Sequence, residues 1–327
     1  MYAWILDESP GSYRWGEMPD PEPGPDDVVV SVVTSALNHM DLWLTRGMPK
    51  PPLPHIPGCD VAGIVHAVGG AVRNVAIGDE VVVNPGVSPV DEIIALGNDS
   101  PMGPGFGIWG EHDRGGHANF AIAPARNIVP RPENRTWEEC AAYPLCYLTA
   151  WRMLRRARLG AGHTLLVVGI GGGVATAALA LGKAMGAHVY VTSRDPIKRD
   201  RAIELGAEGA FDSVESKWPV TADVVVESVG PATWEQSVRA LKAGGRLVLC
   251  GGTSGMSVEL NLPRLFFKQI EIIGSTMGSY QEFAEVTELV KNGLPVVVDE
   301  TYPLTDYPSA LARLEEGAQL GKIVLQH

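Results

Sequence analysis

The chain is poor in cysteine, short of positive charge and without any long apolar run. Its four cysteines, Cys59, Cys140, Cys146 and Cys250, lie far apart with no C-x-x-C pair. That spacing argues against a disulfide framework and against a sulfur-rich metal site. Lys and Arg number 26 against 38 Asp and Glu, a formal net charge of −12. A nucleic-acid partner is not expected, because a phosphate-binding surface needs clustered cations. No apolar stretch approaches the roughly 18 residues of a membrane span, and no basic segment precedes an apolar core near Met1. The expectation is a cytoplasmic protein with no membrane partner. What is present is ordinary for a soluble globular chain: 327 residues, 45% hydrophobic and 20% charged. That length predicts about two domains.

The most informative stretch is Leu165-Leu166-Val167-Val168-Gly169-Ile170-Gly171-Gly172-Gly173-Val174-Ala175. An apolar strand meets a glycine cluster, then a run of helix formers to Met185, then a second strand from Gly186 to Arg194. This is a βαβ unit. Glycines at its first turn let the backbone approach a pyrophosphate, and the helix N-terminus offers unpaired N–H groups, so the expected ligand is a dinucleotide. Gly171, Gly172, Gly173 and Val174 are its predicted contacts. The spacing departs from G-x-G-x-x-G: counted from Gly169 or from Gly171, the third glycine is replaced by Val174 or Thr176. At the end of the second strand an acidic residue would bind the ribose of NAD, whereas a small residue followed by cations would accept a 2′-phosphate. The chain has Ser193-Arg194 and then Lys198 and Arg199, which reads as NADP (NADPH). The competing reading makes Arg194 and Lys198 solvated surface charges, partly neutralised by Asp195.

Around this unit the pattern changes along the chain. The first third is β-rich, with strands expected at 1–6, 27–35, 60–68, 80–83 and 116–123, separated by Gly/Pro turns, which suggests a compact barrel. Residues 84–116 lose periodicity, and a loop of that length is usually functional or mobile. Thr136-Trp137-Glu138-Glu139 carries a capping box that opens a helix. A helix beginning near Thr149 bears Arg152, Arg155, Arg156 and Arg158, read as a solvated face. From Thr164 to Ser275 strands and helices alternate as in a doubly wound parallel sheet. Gly230, Gly251 and Gly252 fall just past strand ends, where such sheets bind ligands. The tail 276–327 is too short to fold alone and should complete the first domain. The predicted division is 1–130 with 276–327 against a dinucleotide-binding domain at 131–275.

Several motifs together make the chain resemble the medium-chain dehydrogenase/reductase superfamily over essentially its whole length. They are Ala36-Leu37-Asn38-His39-Met40-Asp41, Pro57-Gly58-Cys59-Asp60-Val61-Ala62-Gly63, Gly78-Asp79-Glu80-Val81, Leu148-Thr149-Ala150-Trp151, the glycine loop and Ile273-Gly274-Ser275-Thr276-Met277. The resemblance implies an α/β protein: a Rossmann sheet plus a GroES-like β-barrel catalytic domain. In the zinc alcohol dehydrogenases of that superfamily a Cys, a His-Glu pair and a third ligand hold a catalytic metal. Those positions here are Asn38, Cys59-Asp60 and Leu145, with Cys146 adjacent. The structural zinc lobe needs four closely spaced cysteines, and residues 84–110 contain none. The chain is more similar to the zinc-free quinone oxidoreductase branch, which has asparagine at the Asn38 position.

What the resemblance implies is hydride transfer from NADPH to a quinone or an α,β-unsaturated carbonyl without a metal. Asn38 would donate to the substrate oxygen, Asp41 would support its loop, and Thr149 would touch nicotinamide or substrate. Alternatives stay open at this point. Cys59 and Asp60 with His39, His55 or Cys146 would make an atypical zinc site, or Cys59 simply packs, His55 caps its loop and Asp60 bonds locally. The fold would also serve a NADPH-binding protein without turnover. His112 and His117 read as exposed loop residues or cleft lining, and Trp43, Phe106 and Trp109 as cleft walls or core. The apolar strand Ile270–Ser275 is expected at a sheet edge, pairing two copies as a homodimer.

Overall fold

Buried strands stripped of polar residues account for the centre of the second half of the chain. The computed structural model describes residues 1–327 and divides them into two units, Met1–Leu145 with Gly278–His327, and Cys146–Met277.

In the unit Cys146–Met277 six strands form one sheet, in the order Gly209–Asp212, His188–Ser193, Thr164–Val167, Ala222–Glu227, Leu241–Leu249 and Glu271–Gly274. All neighbours are parallel. Numbered within this unit the order is 3-2-1-4-5-6, a doubly wound sheet whose direction of winding reverses beside Thr164–Val167. Val191, Val167, Val226, Val248 and Ile273 stand in one row across it. Helices cover both faces, so the strands can be apolar throughout. The helix expected near Thr149 starts at Pro144, a residue whose missing N–H costs nothing in a first turn. Its arginines are only in part a solvated face: Arg155 is exposed, as is Arg158 just past the helix end, and Arg156 is half-buried. Arg152 is buried, Arg156 donates to the carbonyl of Gly274 at 2.6 Å, and Arg158 pairs with Glu271. Glu271–Gly274 does lie at the sheet edge. The helix Leu262–Lys268, capped by Asn261, precedes it and had no clear periodic signal.

The other unit is a curled, mostly antiparallel sheet. Its ten-residue strand Asp27–Ala36 is rich in β-branched residues and pairs with three others. Register shifts between Val29 and Val30 and between Val32 and Thr34 bend it. Its first half then takes Phe120–Pro124 and its second half takes Lys322–Gln326. The tail therefore joins this unit, with Val324 opposite Ala36. The boundary expected at residue 131 falls at 146 instead. Helix Trp137–Ala142 has the anticipated Thr136/Glu139 capping box, and Thr34 Oγ1 donates to the Trp137 carbonyl at 2.8 Å, tying the helix to the barrel strand. The stretch 84–116 is not wholly irregular: it contains a helix at Val90–Leu96, a 3₁₀ turn at Gly97–Met102 and the small ladder Gly86–Val87 with Gly107–Ile108. Trp109 is core, packed with Val61, Val81 and Ile128. No helix of the chain is long and apolar enough to cross a membrane.

Candidate active site

The nucleotide end is set by the turn after Thr164–Val167. Gly169 has φ +77° and Gly171 φ +155°, conformations that side chains disfavour. Helix Gly173–Ala184 follows with Gly172 as its N-cap, which has no side chain to cap the first-turn N–H groups. A Cβ on Gly172 would meet nothing within 4 Å. The first turn therefore presents backbone N–H groups beside open space, a cradle that fits a pyrophosphate. Thr176, at one of the missing third-glycine positions, folds its hydroxyl back onto the carbonyls of Gly173 and Gly172 at 3.0 and 3.3 Å. The close helix-to-strand approach that a third glycine permits occurs one turn and a half later. A Cβ on Gly182 would lie 2.5 Å from Leu165 Cδ2 and 3.2 Å from Val189 Cγ2.

At the end of His188–Ser193, Ser193 Oγ accepts from the Asp195 amide at 3.1 Å, and Asp195 Oδ1 caps the next helix through Ile197 N at 2.8 Å. Asp195 is thus engaged as a cap, and Asp212, opposite Ser193 in the sheet, faces Arg199. Arg199 is occupied as well, donating to the carbonyls of Ser193 and Arg194 and pairing with Asp212 at 3.4 Å. The guanidinium of Arg194 is exposed and makes no ion pair. Lys198 is half-buried on the helix Pro196–Glu204 that Asp195 caps. Gly230 and Gly252 answer first to their own loops: Gly230 has φ +92°, and its Cβ would sit 3.2 Å from Gly252 Cα. Glu227, buried, holds that turn by accepting from Val229 N, Gly230 N, Thr233 Oγ1 and Ser237 Oγ at 2.6–3.1 Å. Gly251 stands beside Ser228 in the same place. Thr149 also belongs to this unit, with its Oγ1 3.7 Å from Met277 Sδ.

In the barrel unit, Asn38 and Asp41 come together at the start of helix His39–Thr45. The Asn38 amide N–H donates to Asp41 Oδ2 at 2.7 Å. The side chain of Asn38 faces Asp60 and a residue that sequence reasoning missed, Lys322. The Lys322 ammonium donates to Leu37 O at 2.6 Å, Asn38 Oδ1 at 2.6 Å and Asp60 Oδ2 at 2.7 Å. Asn38 Nδ2 donates to Asp60 Oδ2 at 2.9 Å, and Leu145 N donates to Asp60 Oδ1 at 2.7 Å. An ammonium only donates and a carboxylate only accepts, so the two together fix which end of the Asn38 amide is oxygen and which is nitrogen. Asp60 does not bond locally, as one sequence reading had it; its partners come from three distant segments. The only hint of Lys322 was a lone lysine opening an apolar strand.

These residues do not fit a zinc ion. The oxygens of Asp60 already accept from Lys322, Leu145 N and Asn38 Nδ2, the carbonyl of Asn38 accepts from Lys322, and Leu145 has no metal-binding side chain. Cys59 packs with Leu6, Met40 and Leu44, and burial, reinforced by Asp41 and Asp60, pushes its thiol well above the ordinary range. No three His, Cys, Asp or Glu side chains converge as a metal site. Burial, aided by Lys322, lowers the His39 pKa; His55 pairs its backbone with Leu6 and turns Nε2 to Gly110 O at 3.0 Å. His112 is exposed, whereas His117, expected in a loop or cleft wall, is completely buried.

Comparison with known proteins agrees with this layout. The family profile described as alcohol dehydrogenase GroES-like domain matches residues 24–133, and that described as zinc-binding dehydrogenase matches residues 173–292. A solved NAD-dependent alcohol dehydrogenase is 36% identical and superposes with a TM-score of 0.94, covering 100% of both chains. The crotonyl-CoA carboxylase/reductase of Cereibacter sphaeroides is 29% identical over 96% of this chain and 84% of its own. The quinone oxidoreductase of Rattus norvegicus is 27% identical over 93% of this chain and 90% of its own.

Proposed function

The chain belongs to the medium-chain dehydrogenase/reductase superfamily and is an NAD(P)H-dependent oxidoreductase, and we propose that it reduces a quinone or an α,β-unsaturated carbonyl with NADPH and without a catalytic metal. The observation that carries this reading is the Lys322–Asn38–Asp60 cluster, in which the residues standing at metal-ligand positions are committed to an ammonium.

The bound reduced nicotinamide supplies the hydride. The chain's own residues bind and orient. Backbone N–H groups at Gly173 and Val174 take the pyrophosphate, and Arg194 takes the 2′-phosphate. Asn38 donates from Nδ2 to the substrate oxygen, where negative charge develops. The ammonium on Asn38 Oδ1 draws density from the amide and makes its N–H the stronger donor. Asp41 keeps Asn38 in place, and the Thr149 hydroxyl lies against nicotinamide or substrate. One amide donor polarises a carbonyl less than a zinc ion does, so the suitable substrates are conjugated ones that accept hydride readily.

The test is NADPH oxidation with a panel of quinones, enones and enoyl thioesters, before and after exhaustive chelation, with metal analysis alongside. Turnover that survives chelation in zinc-free protein is expected, and Asn38→Ala should lower kcat by about 10²-fold or more. A stoichiometric zinc whose removal abolishes turnover overturns the reading. NADPH binding with no oxidation by any member of the panel points to a binding protein instead.

We also propose a symmetric homodimer along the edge strand Glu271–Gly274, whose outer backbone groups have no strand partner. The nearby Phe266 and Phe267 are 59% and 80% exposed. Light scattering on the eluting protein should give twice the chain mass.

A further inference from the structure

Three buried polar atoms that bond to nothing meet beside Asp41. His117 Nε2 and Asp41 Oδ1 face each other at 3.7 Å with both side chains inaccessible, and neither atom has a hydrogen-bond partner. Tyr307 Oη is the third, as buried and as unpartnered. Its ring tilts over the His117 ring with centroids 5.0 Å apart and meets the Tyr13 ring edge-on at 5.4 Å. Of the charges around this phenol Asp41 acts on it most strongly, and with burial it pushes the pKa well above the ordinary range, so the hydroxyl keeps its hydrogen. Tyr13 does not donate into the group, because its own hydroxyl donates to the Asp41 carbonyl at 2.7 Å.

Unmet polar atoms in a dry interior are costly, and 3.7 Å is too long for a direct bond. The two side chains are not free to close the gap. Asp41 Oδ2 is held by the Asn38 amide at 2.7 Å. His117 Nδ1 is held by Ser35 Oγ at 2.9 Å, and Ser35 Oγ in turn lies 2.8 Å from His327 Nε2. The ring also packs on Gly58, at φ +105°, where a Cβ would come within 2.6 Å of Nδ1. A water molecule suits such a gap, since a buried water makes about three hydrogen bonds and spans polar atoms that cannot touch. Because water both donates and accepts, it satisfies His117 Nε2 in either tautomer.

We propose that one buried water molecule bridges Asp41 Oδ1, His117 Nε2 and Tyr307 Oη, and that Tyr307, acting through this water and Asp41, is a positioning residue for Asn38. The positioning role rests on the reading of Asn38 as substrate donor; the water site does not. Asp41 Oδ1 takes one water hydrogen, and the other hydrogen and the lone pairs serve the imidazole and the phenol. With Oδ1 anchored in this way, Oδ2 stays aimed at the Asn38 amide. Released from the water, the carboxylate would turn toward another donor and loosen that amide.

A high-resolution crystal structure of the unaltered protein decides the water without any turnover. A density peak within about 3.2 Å of all three atoms is expected; no peak there, or Asp41 and His117 in direct contact, overturns the proposal. Tyr307→Phe keeps the ring against His117 and Tyr13 and removes only the hydroxyl. It should lower kcat about five-fold or more while NADPH affinity stays within about two-fold. In protein already carrying Asn38→Ala the same change should cost no further kcat, because the two residues act in one chain of contacts. An unchanged kcat in the single variant, or an equal loss in both backgrounds, removes the positioning role. If no substrate is turned over, the crystal structure still decides the water.

Discussion

Lys322 Nζ and Asp60 Oδ2 lie 2.7 Å apart with neither side chain reaching solvent. Each charge answers the other, and the remaining ammonium hydrogens go to Leu37 O and Asn38 Oδ1. Such a pair stabilises little in sum, since desolvation consumes most of the attraction, but removing one partner strands a charge. Lys322→Met should therefore lower the unfolding free energy by about 3–5 kcal/mol, read from urea denaturation. Adding Asp60→Asn should return part of it. Lys322→Arg should not substitute, because a planar fork cannot reproduce three bonds from one nitrogen.

On the proposed NADPH reading, cofactor choice turns on Arg194, since Asp195 and Arg199 are engaged elsewhere. Arg194→Ala should weaken NADPH binding by about 10- to 100-fold, the worth of one charged hydrogen-bonding partner. NADH binding should hardly change. Titration calorimetry with both nucleotides decides it, and equal losses for the two would remove the 2′-phosphate assignment.

The glycines of the βαβ unit separate into two kinds. Gly172→Ala places a methyl group in open space at an ordinary backbone angle, so Tm should hold while NADPH affinity falls. Gly182→Ala drives a methyl group into Leu165 and Val189. Overpacking of that kind costs about 1–3 kcal/mol, with nucleotide affinity retained by whatever fraction stays folded. Melting curves and nucleotide titrations on the two variants should give opposite patterns.

Acid should destabilise the barrel unit through His327. Its folded pKa is depressed to about 3 from an ordinary 6.5, so above pH 6.5 both folded and unfolded states leave it neutral. Below that the unfolded chain takes up a proton that the folded chain refuses, and stability is lost as pH falls toward 3. The slope from this one group is at most about 1.4 kcal/mol per pH unit. His327→Gln should flatten the decline of urea midpoints between pH 6.5 and 4, and an unchanged slope would exclude the residue as its source.

Much of this molecule was legible in the order of its residues. Apolar runs located the strands of the doubly wound sheet, and the Thr136/Glu139 pair marked a helix start where one occurs. The glycine cluster, the Ser193-Arg194 strand end and the return of the tail to the first unit were readable too. Each depends on neighbours within a turn or a strand, or on a pattern repeated along one element. Lys322 was not legible. It meets Asp60 across 262 positions, and a lysine opening an apolar strand looks like any exposed charge until Val324 pairs with Ala36 and draws it inside.

The same holds for Arg152, which shares a helix face with exposed arginines in sequence but is buried in the fold. Gly182 does the close packing for which the turn itself lacks a glycine. His117 stands in a polar stretch whose composition suggests solvent. Local chemistry set the elements and their turns, because propensity and periodicity act over a few residues. Only the tertiary structure decided which charges are paired, because desolvation and hydrogen-bond partners depend on groups that the chain brings together from its two ends.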